Sequence, residues 1–172
     1  MPNLLVKVRK ARWSPATLPS FLENGDIPAD CLSDLRTKDN KLSVWYVDEG
    51  SSNLTRVLTA LAASCDDLSN IDYLLFDYQI VAELGLKIRK TSGGTPDKEA
   101  NSAWHRDLEE LSARKVLNFA TAIFYGSIVD RKQEKLVSEW LRAGIANNYL
   151  DRSKLKAKLA ARVQAGVSEP EL

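Results

Sequence analysis

The sequence lacks any long hydrophobic run, and its unbroken apolar stretches, such as residues 73–76, are no longer than four residues. A bilayer span needs roughly 18 apolar residues, so no transmembrane helix is predicted. The apolar residues 4–6 come before the basic residues of the N-terminal segment, which is the reverse of the order in a secretory signal. We therefore expect a cytoplasmic protein with no membrane partner.

Cysteine and histidine are also scarce. Cys31 and Cys65 are far apart and belong to no CxxC unit, which indicates two reduced thiols rather than a disulfide framework or a zinc site. A cysteine nucleophile needs a base to activate it, and His105 is the only histidine. The sequence predicts no cofactor.

What is present is typical of a globular protein. The chain has 172 residues, of which 44% are hydrophobic and 27% charged. A chain of this length and composition buries one sizeable core. We predict a single domain over residues 1–166 and a frayed tail over 167–172.

Strand and helix signals divide the chain into two portions. Residues 4–8, 42–47, 72–77 and 86–91 have strand character, and a helical pattern over 54–63 between two of them suggests a βαβ-like unit with parallel pairing. Shorter helices are expected over 17–24, from 26 to about 37, and over 79–84. Beyond residue 95 the pattern predicts only helices, over 102–125, 130–143 and 151–164. The predicted class is α+β or small α/β, with a short mixed sheet in residues 1–91 and an all-helical portion over 95–166.

Charge is unevenly distributed along the chain. Residues 1–19 carry four basic and no acidic side chains, residues 20–110 carry 9 basic and 17 acidic, and residues 111–172 carry 11 basic and six acidic. Such a pattern is typical either of a mixed surface or of a bipolar one that steers a charged partner onto one face.

Three residues are weak catalytic candidates. His105 lies in a Trp-His-Arg-Asp sequence, where a predicted helix would place it in a solvent-exposed ion-pair face with Glu109; partner binding and acid–base chemistry are the alternatives. Asp48 and Asp77 lie at the ends of predicted strands. Carboxylates there could hold a divalent metal for phosphodiester chemistry, although acidic residues also end strands for ordinary reasons.

Two basic segments are candidates for anion binding. Lys87 and Arg89 would share one strand face just before a glycine-containing loop and a helix start, where backbone N–H groups could bind a phosphate. The loop residues of this candidate anion site are Gly93, Gly94 and Thr95. The loop lacks the GxxxxGK[ST] pattern, and a plain connector is the main interpretation.

The predicted C-terminal helix carries a basic set around an apolar stripe, a pattern that could contact nucleic-acid phosphates. Its members are Arg152, Lys154, Lys156, Lys158 and Arg162. No aromatic residue is interleaved to stack on bases, so a solvated helix face is the main interpretation.

Among the four tryptophans, Trp13 lies beside Pro15 and a basic stretch, and we predict it to be exposed and to contact a partner. Because no catalytic constellation is evident, the leading hypothesis is a cytoplasmic protein-interaction module of accessory, immunity or antitoxin type. The alternatives are a nucleic-acid-binding protein that uses the basic C-terminal helix and a metal-dependent phosphodiester-processing enzyme. The oligomeric state does not follow from the sequence.

Overall fold

Six strands form one antiparallel sheet at the centre of the molecule. The computed structural model describes residues 2–15 and 18–165. The strands are β1 (Asn3–Lys7), β2 (Leu42–Val47), β3 (Ile71–Asp77), β4 (Lys87–Lys90), β5 (His105–Glu109) and β6 (Ile128–Lys132). Their order across the sheet is β4-β5-β2-β1-β3-β6, and every neighbouring pair is antiparallel.

The central strand β1 is buried on both sides. Its Leu4 and Val6 belong to the core on one face of the sheet, whereas Leu5 belongs to the core on the other face. Successive side chains of a strand point to opposite faces, so a strand covered on both sides has an unbroken apolar run. This explains why residues 4–6 are all apolar.

Helices cover both faces of the sheet. In the described part of the chain they are α1 (Ala29–Leu32), α2 (Leu54–Ala63), α3 (Gln79–Glu83), α4 (Lys98–Ala103), α5 (Ala113–Gly126), α6 (Glu134–Ala146) and α7 (Ala157–Ala165). Helices α1, α3 and α5 pack on the face of Leu4, while α2, α4, α6 and α7 pack on the face of Leu5. The protein is therefore a single α+β domain whose helices lie in two layers.

The predicted parallel pairing of β2 with β3 is wrong. The two strands do run in the same direction, but β1 lies between them and pairs antiparallel with each, so that Leu4 is opposite both Tyr46 and Phe76. The helix α2 thus connects two strands across a third. A long connection that contains a helix therefore does not show that the two strands it joins are neighbours.

The α+β class is confirmed, but a mixed sheet and an all-helical C-terminal half are not. Strand β5 lies within the segment predicted as a helix from residue 102 to 125, and β6 overlaps the start of the helix predicted from 130 to 143. The sequence of β5 places charges at helical spacing, yet Leu108 is fully buried between β2 and β4, opposite Leu42 and Ile88. Tertiary pairing therefore overrides a local pattern that is compatible with a helix.

Several elements have the predicted type and place. The strand β2 covers the predicted range, and α2, α3 and β4 differ from their predictions by one or two residues. Thr17, within the predicted helix over 17–24, lies outside the described residues, as does the predicted tail over 167–172; residues 18–24 are not helical. The helix predicted from residue 151 is a 3-10 turn (Arg152–Lys154) followed by α7.

No helix within the described residues combines the length and the apolar character needed to cross a lipid bilayer.

Candidate functional site: an uncharged face on α5

His105 is a buried strand residue. Its side chain is on β5 and the residue is only 7% exposed. Nδ1 lies 2.8 Å from Thr91 Oγ1, and the ring packs edge-on against Trp45 with 5.1 Å between ring centroids. A Cβ on Gly93 would lie 2.7 Å from Asn101 Oδ1 and 3.2 Å from the His105 ring, which explains the need for glycine there. The predicted solvent-exposed helical face around His105 is therefore wrong.

Burial lowers the pKa of His105 below its ordinary value of 6.5, and Asp107 only partly opposes this shift. The Asp107 carboxylate is 4.0 Å from Nε2. The ring is accordingly neutral in the folded protein at pH 7. A neutral, packed imidazole supports the sheet rather than a proton transfer at the surface.

We expect the stability of the fold to fall as the pH is lowered below about 6.5, partly because of His105. The pKa of His105 is lower in the folded state than in the unfolded chain. The unfolded chain therefore binds the proton more readily, and protonation stabilises the unfolded state relative to the folded one. Urea unfolding at pH 7.5 and 5.5 measures the effect. In His105→Asn the loss between the two pH values should be smaller than in the wild type, and equal losses would contradict a role for this ring.

Asp48 and Asp77 lie at the same end of the sheet, because β2 and β3 both end beside Asn3. Each carboxylate has a local hydrogen bond. Asp48 accepts from Ser52 Oγ at 3.0 Å, and Asp77 accepts from the backbone N–H of Gln79 at 2.8 Å. No group of three or more histidine, cysteine or acidic side chains within residues 2–15 and 18–165 is placed to hold a metal ion.

The basic side chains of the predicted anion site have acidic neighbours on β5 and just after it. Lys87 Nζ is 2.5 Å from the carboxylate of Glu110, and Arg89 is 3.9 Å from that of Glu109. Both lie on the edge strand β4. Cationic side chains on an edge strand discourage pairing with another chain, so a structural reason accounts for them.

The glycine loop that follows β4 is held by Asn101. The backbone N–H of Gly93 donates to the Asn101 carbonyl at 3.2 Å, and the N–H of Thr95 donates to Asn101 Oδ1 at 3.0 Å. These two donors are therefore occupied. Gly93, Gly94 and Thr95 lie in the connector between β4 and α4.

The basic residues around α7 are largely paired with acidic side chains of neighbouring elements. Lys158 is 2.6 Å from Asp67, and Arg162 is 2.6 Å from Glu134 and 3.4 Å from Asp67. Lys156 forms an ion pair with Asp66. Arg152 and Lys154 lie apart, on the 3-10 turn before α7. Three of the five basic side chains predicted to form a nucleic-acid interface therefore have their charge balanced by a neighbouring carboxylate.

Trp13 is 0% exposed, so the expectation of an exposed interaction residue is wrong. Its ring packs against Phe124 of α5 with 6.0 Å between centroids, and Nε1 donates to Asp34 Oδ2 at 3.0 Å. Asp34 also accepts from the Arg9 backbone N–H and from the Arg12 side chain. The basic segment is therefore folded back over the sheet, with Trp13 beneath it.

A polar cavity of about 650 Å³ lies between α2, α4 and the end of α6. Its arginine, Arg56, forms ion pairs with Asp97 and Glu99 and lies over the rings of Trp104 and Tyr149. These contacts hold Arg56 against neighbouring elements of the fold, so a structural role accounts for this residue.

After its first turn, which carries Arg114 and Lys115, helix α5 presents an uncharged face to solvent. No charged residue occurs from residue 116 to 129. Its buried side contributes Phe119, Ala120, Ile123 and Phe124 to the core. On the opposite side Leu117 is 46% and Tyr125 is 51% exposed, with Asn118 and Thr121 between them. We call the four residues Leu117, Asn118, Thr121 and Tyr125 the α5 face.

Two further exposed apolar residues lie in segments joined to this helix, one directly along the chain and one through a hydrogen bond. Ile128, which begins β6 two residues after α5, is 69% exposed. Tyr125 Oη donates to the Asp26 carbonyl at 2.7 Å, which ties the end of α5 to the segment that carries Phe21, 80% exposed. Surface helices of globular proteins ordinarily carry charged residues on the solvent side.

The signal for this face is in the sequence, as a charge-free run of 14 residues, 116–129. Periodicity alone identifies the buried side of the helix and does not say what the other side meets. The tertiary structure shows that the opposite side meets solvent, because only one side of α5 packs against the core.

Comparison of the chain with models of known protein families, with curated proteins and with solved structures yields no match. The candidate site is therefore defined by the geometry of this chain.

Proposed function

We propose that the protein is a cytoplasmic protein-interaction module that binds a protein partner through the α5 face. The uncharged, partly apolar surface of α5 is the observation that carries this proposal. Buried centres of protein interfaces are depleted in charged residues and enriched in tyrosine and other aromatic residues. Leu117 and Tyr125 supply the exposed apolar area, and Asn118 and Thr121 supply hydrogen-bonding groups without charge.

The candidate catalytic groups already have packing or hydrogen-bond partners within the fold, which supports a binding function rather than catalysis. His105 is packed under Gly93, and Asp48 and Asp77 accept hydrogen bonds from residues that follow them closely in the chain. Both cysteines are free thiols, as expected for a reducing compartment. The proposal belongs to the general class of accessory, immunity and antitoxin proteins that bind a surface of another protein.

The pairing of Lys156, Lys158 and Arg162 with acidic side chains gives nucleic-acid binding less support. Neutralising phosphates requires cations that are free to replace counterions. We therefore propose no second function.

Affinity capture of the tagged protein from its native cells, with and without nuclease, tests the proposal. We expect a stoichiometric protein partner that survives nuclease treatment. The substitution Leu117→Glu places a charge in the α5 face and should weaken binding of that partner at least about tenfold, as loss of a buried interface contact does. Purified components in a titration measure the change.

The matched control is Lys135→Glu, which introduces the same side chain at an exposed position of another helix, α6. It should leave the affinity unchanged, and both variants should unfold at the wild-type temperature. Equal binding by Leu117→Glu and the wild type would refute the α5 face as the interface. A partner set that disappears with nuclease would favour the basic residues around α7 instead.

A further inference from the structure

Lys7 and Cys65 form a close amine–thiol contact between two elements. Lys7 is the last residue of β1, and Cys65 is in the turn that follows α2. Lys7 Nζ lies 3.0 Å from Cys65 Sγ. We call these two residues the Lys7–Cys65 pair. A cavity of about 440 Å³ opens at the pair, and its wall includes Ser64 and Ser69.

The second cysteine provides an internal contrast. Cys31 is fully buried in the core, and burial, together with Asp34 and Asp30, raises the pKa of its thiol to about 11. Cys65 is partly exposed and has a lysine amine as its neighbour. Reactive cysteines occur in partly exposed surroundings next to a basic group, whereas buried structural cysteines are inert. The two thiols should therefore differ in their reaction with oxidants.

We propose that the Lys7–Cys65 pair is an oxidative modification site, at which a peroxide links the sulfur covalently to the lysine nitrogen. In the first step the Cys65 sulfur attacks hydrogen peroxide. The S–O bond forms, the O–O bond breaks and one water leaves, giving a sulfenic acid. In the second step the unprotonated Lys7 amine attacks that sulfur. The S–N bond forms, the S–O bond breaks, and the hydroxide leaves with the amine proton as a second water.

The product is a sulfenamide between the two side chains. One thiol, one amine and one peroxide are consumed, and two waters are released. Sulfur is oxidised by two electrons, and the peroxide is reduced by two. Sulfenic acids condense with nitrogen atoms as well as with thiols, and cellular thiols reverse such links by attack on the sulfur.

The fold already holds the two reacting atoms in contact. The backbone N–H of Cys65 donates to the Ala62 carbonyl at 3.0 Å, and Lys7 is paired with Tyr73 in the register of β1 with β3. The nearby carboxylates of Asp66 and Asp67 are paired with Lys156 and Lys158. The link therefore needs side-chain rotation and no rearrangement of the sheet. Because the two groups are held in contact, the amine reacts with the sulfur as if it were present at a high concentration.

The link would connect positions separated by 58 in the sequence. A cross-link of that span restricts the unfolded chain and so stabilises the fold. Oxidation would thus make the protein more stable and reduction would reverse the change. This inference is independent of the proposed protein-binding function.

The test uses the full chain with Cys31→Ser, so that no disulfide between the two cysteines can form. The protein is treated with hydrogen peroxide and examined by intact mass and by peptide mass spectrometry. We expect a mass loss of two hydrogens, a peptide pair joined at residues 7 and 65, and a rise of at least about 4 °C in the unfolding temperature. Addition of a thiol should reverse all three.

Two variants are the controls. Cys65→Ser should show neither the link nor the thermal shift. Lys7→Arg keeps the positive charge but lacks the lysine amine, and it should gain only oxygen at Cys65. Oxygen addition without any linked peptide in the parent protein would overturn the proposal, as would a link that forms equally well in Lys7→Arg.

Discussion

Replacing Asp97 with alanine is expected to destabilise the fold by about 2–4 kcal/mol, because hydrogen bonds to a charged group contribute about 1.5–3 kcal/mol each and this buried carboxylate makes two of them with Arg56. The Asp97 side chain is fully buried. Its Oδ2 accepts from Arg56 Nε at 2.7 Å, and Oδ1 accepts from Arg56 Nη2 at 3.2 Å. This two-point contact also raises the pKa of Arg56 above its ordinary value.

Asp97 has a second structural role at the start of α4. Its Oδ1 accepts from the backbone N–H of Ala100 at 2.9 Å, which caps the helix. Loss of such a cap costs about 1 kcal/mol. The alanine variant would leave Arg56 between the rings of Trp104 and Tyr149 with a carboxylate only on its exposed side.

Urea unfolding measured on matched variants tests this account. Glu99→Ala removes a carboxylate that is 2.8 Å from the same arginine, but the Glu99 side chain is 68% exposed. An exposed pair contributes about 0–1 kcal/mol, so this control should change stability little. Equal effects of Asp97→Ala and Glu99→Ala would contradict the importance of burial at Asp97.

Replacing Trp13 with alanine is expected to cost about 3–5 kcal/mol, the usual range for loss of a large buried aromatic side chain. Trp13 is among the largest fully buried side chains of the core beneath α5. Its removal would leave a cavity beside Phe124 and would remove one of the hydrogen bonds that join the N-terminal basic segment to Asp34.

The milder substitution Trp13→Phe separates packing from hydrogen bonding. It keeps an aromatic ring against Phe124 but loses the indole N–H that donates to Asp34, so a smaller loss of about 1–2 kcal/mol is expected. Thermal unfolding should show both effects, at about 2–4 °C for each kcal/mol. Phe21→Ala, at an exposed position, should be nearly neutral. A neutral Trp13→Ala would contradict the buried position of this ring.

Prediction from sequence succeeded where local pattern and tertiary environment agree. The strand β2 is aromatic and β-branched and is bounded by polar residues, and the structure places it near the centre of the sheet. The helix α2 repeats its apolar residues at helical spacing and buries that side. In both elements every local preference favours the same structure.

Prediction failed where the local pattern was compatible with two structures. The sequence of β5 spaces His105 and Glu109 four residues apart, which also suits a helix, but alternation places both on one side of a strand. Pairing with β2 and β4, which are distant in sequence, decides between the two. The exposure predicted for Trp13 failed for a similar reason, because the segment covering it is held by the distant Asp34.

The sequence by itself determined the α+β class, the strands β1 to β4, the helix α2 and the charge-free run that becomes the α5 face. These features depend on composition and on periodicity over a few turns or residues. Only the tertiary structure decided the strand order, the burial of Trp13 and His105, and the contact of Lys7 with Cys65. Each of these depends on residues far apart in the chain, whose approach is set by the shared burial of apolar surface and not by any local preference.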